Sequence, residues 1–389
     1  MAITVQSADN VLKSVYLDVI SEQLNTKINP FLAQINKNSN DVVGKEVKKR
    51  VLYDLNGGVG AGTEEGDLPK AIGNKYETIT LPLKNFYGVI EISDKALRAS
   101  EGNSGAFVNV LNSEMEGLIK ASQNNFGRML FGDGSGKISS IGEVDGENIF
   151  VAELAKFKAG MIVDFYNEDG QLMTNGKARK VIEVDYDNNC IKVEGENVVS
   201  ATFMGGYVTY ADALNNELLG LEAIFNDNET LYGFNKEENQ WLKPVVSNCS
   251  NLSEIEIQKV IDAIEERTGE APNMIICSFG VRRALQRLFA QAGTRINDVE
   301  LAGGYKTISY NGIPIVVDRY CPRGSMYLLN TNDFELQQLC DWRWLEGEDG
   351  KILKQIPGKP IYTATLVKYA ELLCSRPCGQ GKISGIIEI

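Results

Sequence analysis

The sequence predicts an α+β fold that carries an inserted small β-barrel or sandwich. Three observations predict it. One stretch of unbroken helical periodicity runs from Ala106 to Phe131. Four short strand-like runs separated by turn residues follow between Val151 and Tyr210. Helices and strands then mix from Ser253 to Leu329, and the chain closes on further strands. The stretch around which the rest is organised comes before all three, from Glu46 to Ser93.

Composition sets the bounds. The chain has 389 residues, of which 43% are hydrophobic, enough for a core and for two or three structural units. A formal charge of −13 argues against a protein that coats a nucleic-acid duplex, which needs a basic stripe. Histidine is absent, which removes the commonest general base and metal ligand and speaks against an enzyme. The opening MAITVQSADN has neither a basic nor an apolar signal region, so no signal peptide is expected. No apolar run is long enough for a membrane span. The seven cysteines are odd in number and irregular in spacing, which fits free thiols. Cys374 and Cys378 have zinc-ligand spacing, but a structural zinc site needs four ligands and no second tight pair exists.

Residues 1–45 are expected to form an N-terminal arm. Val11, Val15, Leu17, Val19, Ile20 and Leu24 suggest a short amphipathic helix, and Asn29-Pro30 is expected to break it. Residues 46–92 follow as an extended hairpin. One strand is Val47 to Leu55 and the other Tyr76 to Ile92, with Pro82 interrupting the alternation of the second. Between them lie Gly57, Gly58, Gly60, Gly62 and Gly66 with Glu64, Glu65 and Asp67. A loop this long without apolar periodicity has little to bury against its own domain. It is expected to reach a neighbouring subunit, with Gly57, Gly60, Gly62, Glu64, Glu65, Asp67 and Lys70 at the contact. The rival reading is a phosphate cradle at Gly57–Gly62. It lacks the Lys-Ser/Thr pair, opens into no helix, and is followed by three carboxylates that would repel a phosphate.

Residues 93–150 hold the long helix and the start of a flanking domain. Ser93 is a candidate cap for a short helix. The main helix would be about 39 Å long at 1.5 Å per residue. Its apolar stripe includes Phe107, Leu111, Leu118, Phe126 and Met129, which are expected to pack on a sheet formed partly by Ile361 to Leu373. Residues 151–210 read as the inserted β-rich domain. Asp185, Asp187, Asn189 and Glu196 match four positions of a calcium loop, but Cys190 stands where glycine is required, and a hairpin turn explains the run better.

Residues 211–330 form the next expected domain. Ser253 to Glu256 is a capping box ahead of the apolar face Ile257, Val260, Ile261 and Ile264. Met274 to Cys277 reads as a buried strand, and Ser278 as the cap of a second helix. Arg282, Arg283 and Arg287 on that helix read as a solvated face, and Asn311-Gly312 as a hairpin turn. Residues 331–389 are expected to return as strands beneath the long helix.

This order of elements resembles the major capsid proteins of tailed bacteriophages, the Hong Kong 97-type fold. The resemblance rests on the hairpin VKKRVLYDLNGGVGAGTEEGDLPKA, the following ITLPLKNFYGVIEISDKALRAS, the helix SEMEGLIKASQNNFGRMLFGDGSG, and YNGIPIVVDRYCPRGSMYLLN. It implies an extended loop, a spine helix, peripheral and axial domains, and an added insertion domain. It also implies a structural protein rather than an enzyme, with no cofactor and no metal. Such a protein assembles with itself as hexamers and pentamers into an icosahedral virion capsid in the bacterial host cytoplasm, around DNA it does not read by sequence and without a membrane. A portal and a separate scaffolding protein would be its partners, since only the arm precedes the hairpin. Some members crosslink a hairpin lysine to a neighbour's asparagine. Lys70 and Lys75 are available, and nothing in the sequence selects them. An encapsulin-type compartment shares the fold, and a nucleotide-binding enzyme using the Gly57–Gly62 loop is the distant alternative.

Overall fold

A computed structural model describes residues 29–95, 104–199, 205–292, 298–301, 305–347 and 350–388. The expected helix from Val11 to Leu24 lies outside them, as do the side chains of Phe107 and Leu111. The chain divides into two compact units, one of residues 1–124 and 227–389, the other of residues 125–226.

In the first unit, Asn29-Pro30 starts a helix, and the helix it was expected to break lies outside the described residues. The Asn29 side chain accepts from the backbone N–H of Leu32 (3.1 Å) and Pro30 opens the helix Pro30–Gln34. Proline is favoured at a first helical position, where its missing N–H costs nothing. Phe31 of this helix is buried against the edge of Phe334, with ring centroids 5.1 Å apart.

Two sheets dominate this unit. One is built on the strand Ile361–Cys374, which has Phe334–Trp344 on one side and Lys84–Ser93 on the other. Asn36–Asn38 extends it beyond Phe334–Trp344, and Lys354–Gln355 pairs with the start of the central strand. The run expected as one hairpin strand from Tyr76 to Ile92 is therefore two. Lys75–Pro82 pairs with Glu46–Asp54 in the hairpin, and Lys84–Ser93 belongs to the sheet. Pro82 ends the first, since a proline cannot donate to a ladder.

The second sheet has seven strands in the order Val245–Asn248, Gly381–Ser384, Met326–Leu329, Met274–Cys277, Ile313–Val317, Tyr305–Tyr310 and Asp298–Leu301. Helices Glu254–Thr268 and Phe279–Ala292 contribute Ile257, Val260, Ile261, Ile264, Val281, Leu285 and Phe289 to one core with Ile275, Cys277, Ile315 and Leu328. Ser253 accepts from the N–H of Glu256 (3.2 Å), and Gly269 closes the first helix at φ +72°. Asn311 and Gly312 turn at φ +48° and +84°, the left-handed pair a tight hairpin needs. Arg283 and Arg287 are exposed, while Arg282 is half-buried with its guanidinium 5.7 Å from the Phe279 ring centre.

The last strand corrects the expected division at residue 331. Gly381–Ser384 joins the seven-stranded sheet, not the sheet of Ile361–Cys374. An antiparallel pair of strands runs from one sheet into the other, and its two breaks are tied together. Asp333 accepts from Arg376 Nε (3.2 Å) and Gln380 Nε2 (2.9 Å), and Gln380 Oε1 accepts from the N–H of Asn330 (2.9 Å).

The second unit holds a closed barrel. Around it run Cys190–Val193, Asn148–Val151, Lys137–Asp145, Tyr207–Tyr210, Ile162–Tyr166 and Arg179–Asp185. The expected insertion began at Val151 and so lacked two of these strands, Lys137–Asp145 and Asn148–Val151. They meet at the two-residue turn Gly146-Glu147, with Gly146 at φ +60°. Ile138, Ile141, Ile149, Phe157, Val163, Phe165, Val181, Ile191 and Val208 fill the interior. Asp185 spends its carboxylate on its own turn. It accepts from the N–H groups of Asp187 and Asn188 (3.0 Å each), and the Asn188 side-chain hydrogen bond leads the effects that hold its pKa below the ordinary value. The hairpin reading of this run thus has its geometry, and among the described residues no cluster of three or more metal-type ligands occurs. Cys374 and Cys378 are free, and burial pushes both thiols above their ordinary pKa.

Candidate assembly surface

The hairpin is two different things along its length. Val47, Lys49, Val51 and Tyr53 alternate onto one face of its first strand. Opposite them on the second strand stand Leu81, Ile79 and Glu77. Val47, Val51, Ile79 and Leu81 are buried, so this half is seated on the subunit. Lys49 Nζ lies 2.9 Å from both Asp41 Oδ2 and Glu335 Oε2. Tyr53 stacks on Trp241 with ring centroids 6.1 Å apart and planes at 27°. The neck carries the ion pair Lys75–Asp54 (2.8 Å), whose hydrogen bond leads the effects that lower the Asp54 pKa, and Arg50 lies 4.5 Å from the Tyr76 ring centre.

Beyond the neck the two limbs run beside each other. A Cβ on Gly58 would fall 3.1 Å from the Lys70 carbonyl and 3.2 Å from the Ile72 nitrogen, and one on Gly60 would fall 3.3 Å from Pro69 Cγ. The glycines thus allow close approach of the limbs. Gly57, Gly60, Gly62, Glu64, Glu65, Asp67 and Lys70 are all exposed. So are the apolar side chains among them: Leu55 at 73%, Val59 at 88% and Leu68 at 89%. Large apolar side chains displayed to water on an arm gain nothing there by themselves. Glu64, Glu65 and Asp67 are exposed beside the glycines, where their charge would repel a phosphate.

The long helix, Ser104–Met129, is the second expected element. Its buried stripe includes Met115, Ile119, Gln123, Phe126 and Met129, spaced four, four, three and three. Leu118 is half-buried, at the flank of the stripe and not at its centre. It lies over Gly88 of the strand Lys84–Ser93, where an added Cβ would come 2.8 Å from Leu118 Cδ1. Gly88 stands directly opposite Leu366, which puts this part of the helix on the sheet of Ile361–Cys374. Phe126 and Met129 lie in the second unit, where the helix ends differently. There the buried Arg128 pairs with the buried Glu217, bonds to Asn125 Oδ1 (2.9 Å) and lies 5.0 Å from the Tyr210 ring centre. The N–H of Leu221 donates to the Leu130 carbonyl (2.8 Å), and Gly220 packs so closely that a Cβ would fall 2.4–2.7 Å from the carbonyl oxygens of Met129, Leu130 and Gly132.

Sequence reasoning missed the seat of the hairpin, the glycine floor under Leu118, and Gly220. The alternation from Val47 to Tyr53 was a legible signal for the seated face. Nothing local pointed to Glu335 or Trp241.

No family model and no curated protein matches the sequence. Solved structures do. A chain of the cyanophage A-1(L) capsid asymmetric unit superposes with a TM-score of 0.58 at 12% identity, covering 92% of this chain and 93% of that one. The fold is the Hong Kong 97-type capsid fold. The capsid of an empty GTA particle follows with a TM-score of 0.49 at 9% identity, covering 92% and 90%. The holo-SrpI encapsulin complex of Synechococcus elongatus gives 0.47 at 10% identity, covering 90% and 85%. At those two scores the likeness is too loose to argue from.

Proposed function

We propose that this chain is a structural shell protein, the major capsid protein of a tailed phage, and that it performs no catalysis. The observation that carries the reading is the capsid-fold likeness over 92% of the chain. The uncovered apolar tip supports it, because a subunit with Leu55, Val59 and Leu68 in solvent is incomplete until another copy covers them. On this reading the subunits form hexamers and pentamers, the hairpin tip bridges neighbours, and the units close an icosahedral head around double-stranded DNA. A separate scaffold directs closure and a portal takes one vertex. The charge of −13 keeps DNA binding weak and nonspecific and leaves hydrophobic docking to hold the shell. Assembly would take place in the host cytoplasm.

Deleting Gly58 to Pro69 tests the reading. The segment makes no part of the seated face, so the variant should fold with unchanged circular dichroism and remain a subunit or small oligomer by sedimentation. Normal shells from the deletion would overturn the role given to the tip. The contents of wild-type particles separate a phage head, which protects double-stranded DNA from nuclease, from an encapsulin-type compartment, which holds protein.

A further inference from the structure

Asn-Gly occurs at 56–57, 175–176 and 311–312, and the fold holds the three pairs differently. In such a pair the glycine nitrogen can attack the asparagine carboxamide, because no Cβ shields it. The attack needs a glycine N–H that is not engaged, a carboxamide that can turn, and a backbone that can rotate. At Asn175-Gly176 the Gly176 N–H donates to the Met173 carbonyl (2.9 Å). Asn175 Nδ2 donates to Glu196 Oε2 (3.1 Å) and to the Asn197 carbonyl (3.3 Å). Asn311-Gly312 is a tight turn between the paired residues Tyr310 and Ile313, with Asn311 at φ +48°. Its Nδ2 donates to Gln258 Oε1 (3.0 Å). Asn56-Gly57 lies beyond the last rung of the hairpin, Asp54 opposite Lys75, and both residues are exposed. The Gly57 N–H makes no hydrogen bond among the described residues. Asn56 Oδ1 accepts from the N–H of Gly58 (2.8 Å), which wraps the side chain around the Gly57 peptide and brings Cγ beside the Gly57 nitrogen. The same hydrogen bond supports the negative charge that attack places on Oδ1.

We propose that Asn56-Gly57 is a self-modifying site at the neck of the hairpin, where the chain converts its own asparagine to aspartate and isoaspartate. The Gly57 nitrogen bonds to Asn56 Cγ, the Cγ–Nδ2 bond breaks, and ammonia leaves with the proton of the Gly57 N–H. A succinimide ring results. Water then opens the ring at one of its two carbonyl carbons. Breaking the bond from Cγ to nitrogen gives aspartate, and breaking the bond from the Asn56 main-chain carbonyl carbon gives isoaspartate. Nothing is oxidised or reduced. Either product adds a carboxylate close to Asp54, in a chain already at −13. Isoaspartate also routes the main chain through Cγ and lengthens the first limb by a carbon just ahead of Gly58, where the limbs lie close. The chemistry belongs to the single subunit and stands apart from the shell reading.

Ageing the purified full chain at mildly alkaline pH, followed by peptide mapping and isoaspartyl methyltransferase labelling, tests the site. The peptide that holds Asn56 should take up the label, and the mass gain of exchanging NH2 for OH, roughly tenfold faster than the peptide that holds Asn175, where hydrogen bonds on both reacting groups must break first. It should also outpace the peptide that holds Asn311. Gly57→Ala is the control the structure permits. Its Cβ would meet Ile72 Cδ1 at 3.6 Å, an ordinary contact, so the limb keeps its path while the methyl shields the nitrogen. This variant should age much more slowly at Asn56. In urea the three wild-type sites should age alike, because the unfolded chain holds none of these bonds. Ageing of the folded chain at Asn175 or Asn311 as fast as at Asn56 would overturn the proposal. So would a Gly57→Ala variant that ages like wild type, or a preference for Asn56 that persists unchanged in urea, since the fold would then not select the site.

Discussion

Leu118→Asp places a carboxylate where the long helix meets its sheet. Leu118 rests over Gly88 between the buried Met115 and Ile119 on one side and the half-buried Ser122 on the next turn. A fully buried leucine would cost about 2–5 kcal/mol to truncate, and a half-buried one roughly half of that, about 1–2.5 kcal/mol. The carboxylate adds a desolvation cost of about 1–3 kcal/mol, since water reaches only one side of it. The sum, about 2–5.5 kcal/mol, is a large share of a domain's stability of about 5–15 kcal/mol. Lys120→Glu is the control. Lys120 is exposed and only 4.0 Å from Glu116, so its loss and the new i,i+4 repulsion should cost no more than about 0.5 kcal/mol. Urea unfolding of the two variants, with soluble yield and particle formation alongside, measures the difference. Leu118→Asp should lose at least about 2 kcal/mol more than Lys120→Glu and assemble poorly. Equal stability and equal assembly would refute the packing of this helix on Gly88 and its sheet.

Two further outcomes follow from buried charges. Arg128→Met should destabilise the second unit by about 3–5 kcal/mol, because it strands Glu217 without its partner, while Arg128→Met with Glu217→Met should recover most of the loss; a double variant as unstable as the sum of the singles would contradict this. Burial raises the Asp318 pKa from 3.8 to about 7, and its Oδ2 has no hydrogen-bond partner among the described residues. The folded state therefore holds this proton more tightly than the unfolded state. The stability it contributes is complete below the unfolded pKa and is lost as pH rises through 7, at up to about 1.4 kcal/mol per pH unit. Asp318→Asn should flatten the difference between pH 4 and 7 in paired unfolding curves, and a parallel offset at every pH would contradict that assignment.

Elements with strong local signals were legible in the sequence. The capping box at Ser253, the Asn311-Gly312 turn, the long helix and the strand from Ile361 each carry their cue within a few residues, and the structure has all four. What was misread depended on partners elsewhere. Lys137–Asp145 has weak alternation after a helix end, and only closure with Tyr207–Tyr210 makes it a barrel strand. Gly381–Ser384 is too short to signal its sheet. Tyr76 to Ile92 reads as one strand interrupted at Pro82, and only pairing shows that its halves belong to different sheets. The candidate surface divides in the same way. The exposed tip was legible as a long stretch with no apolar period. The seat was not, since Lys49 and Glu335 are 286 positions apart and no pattern in one predicts the other. Periodicity puts Leu118 on the apolar face, whereas its depth there depends on the floor beneath, here a glycine.

The central claim is that this subunit builds a closed shell. Electron microscopy of the purified full chain, mixed with its scaffold if it needs one, tests this most directly. The account predicts closed icosahedral particles in which hairpin tips lie on neighbouring subunits, covering Leu55, Val59 and Leu68. Dispersed subunits under every assembly condition, or particles in which those side chains remain in solvent, would contradict it.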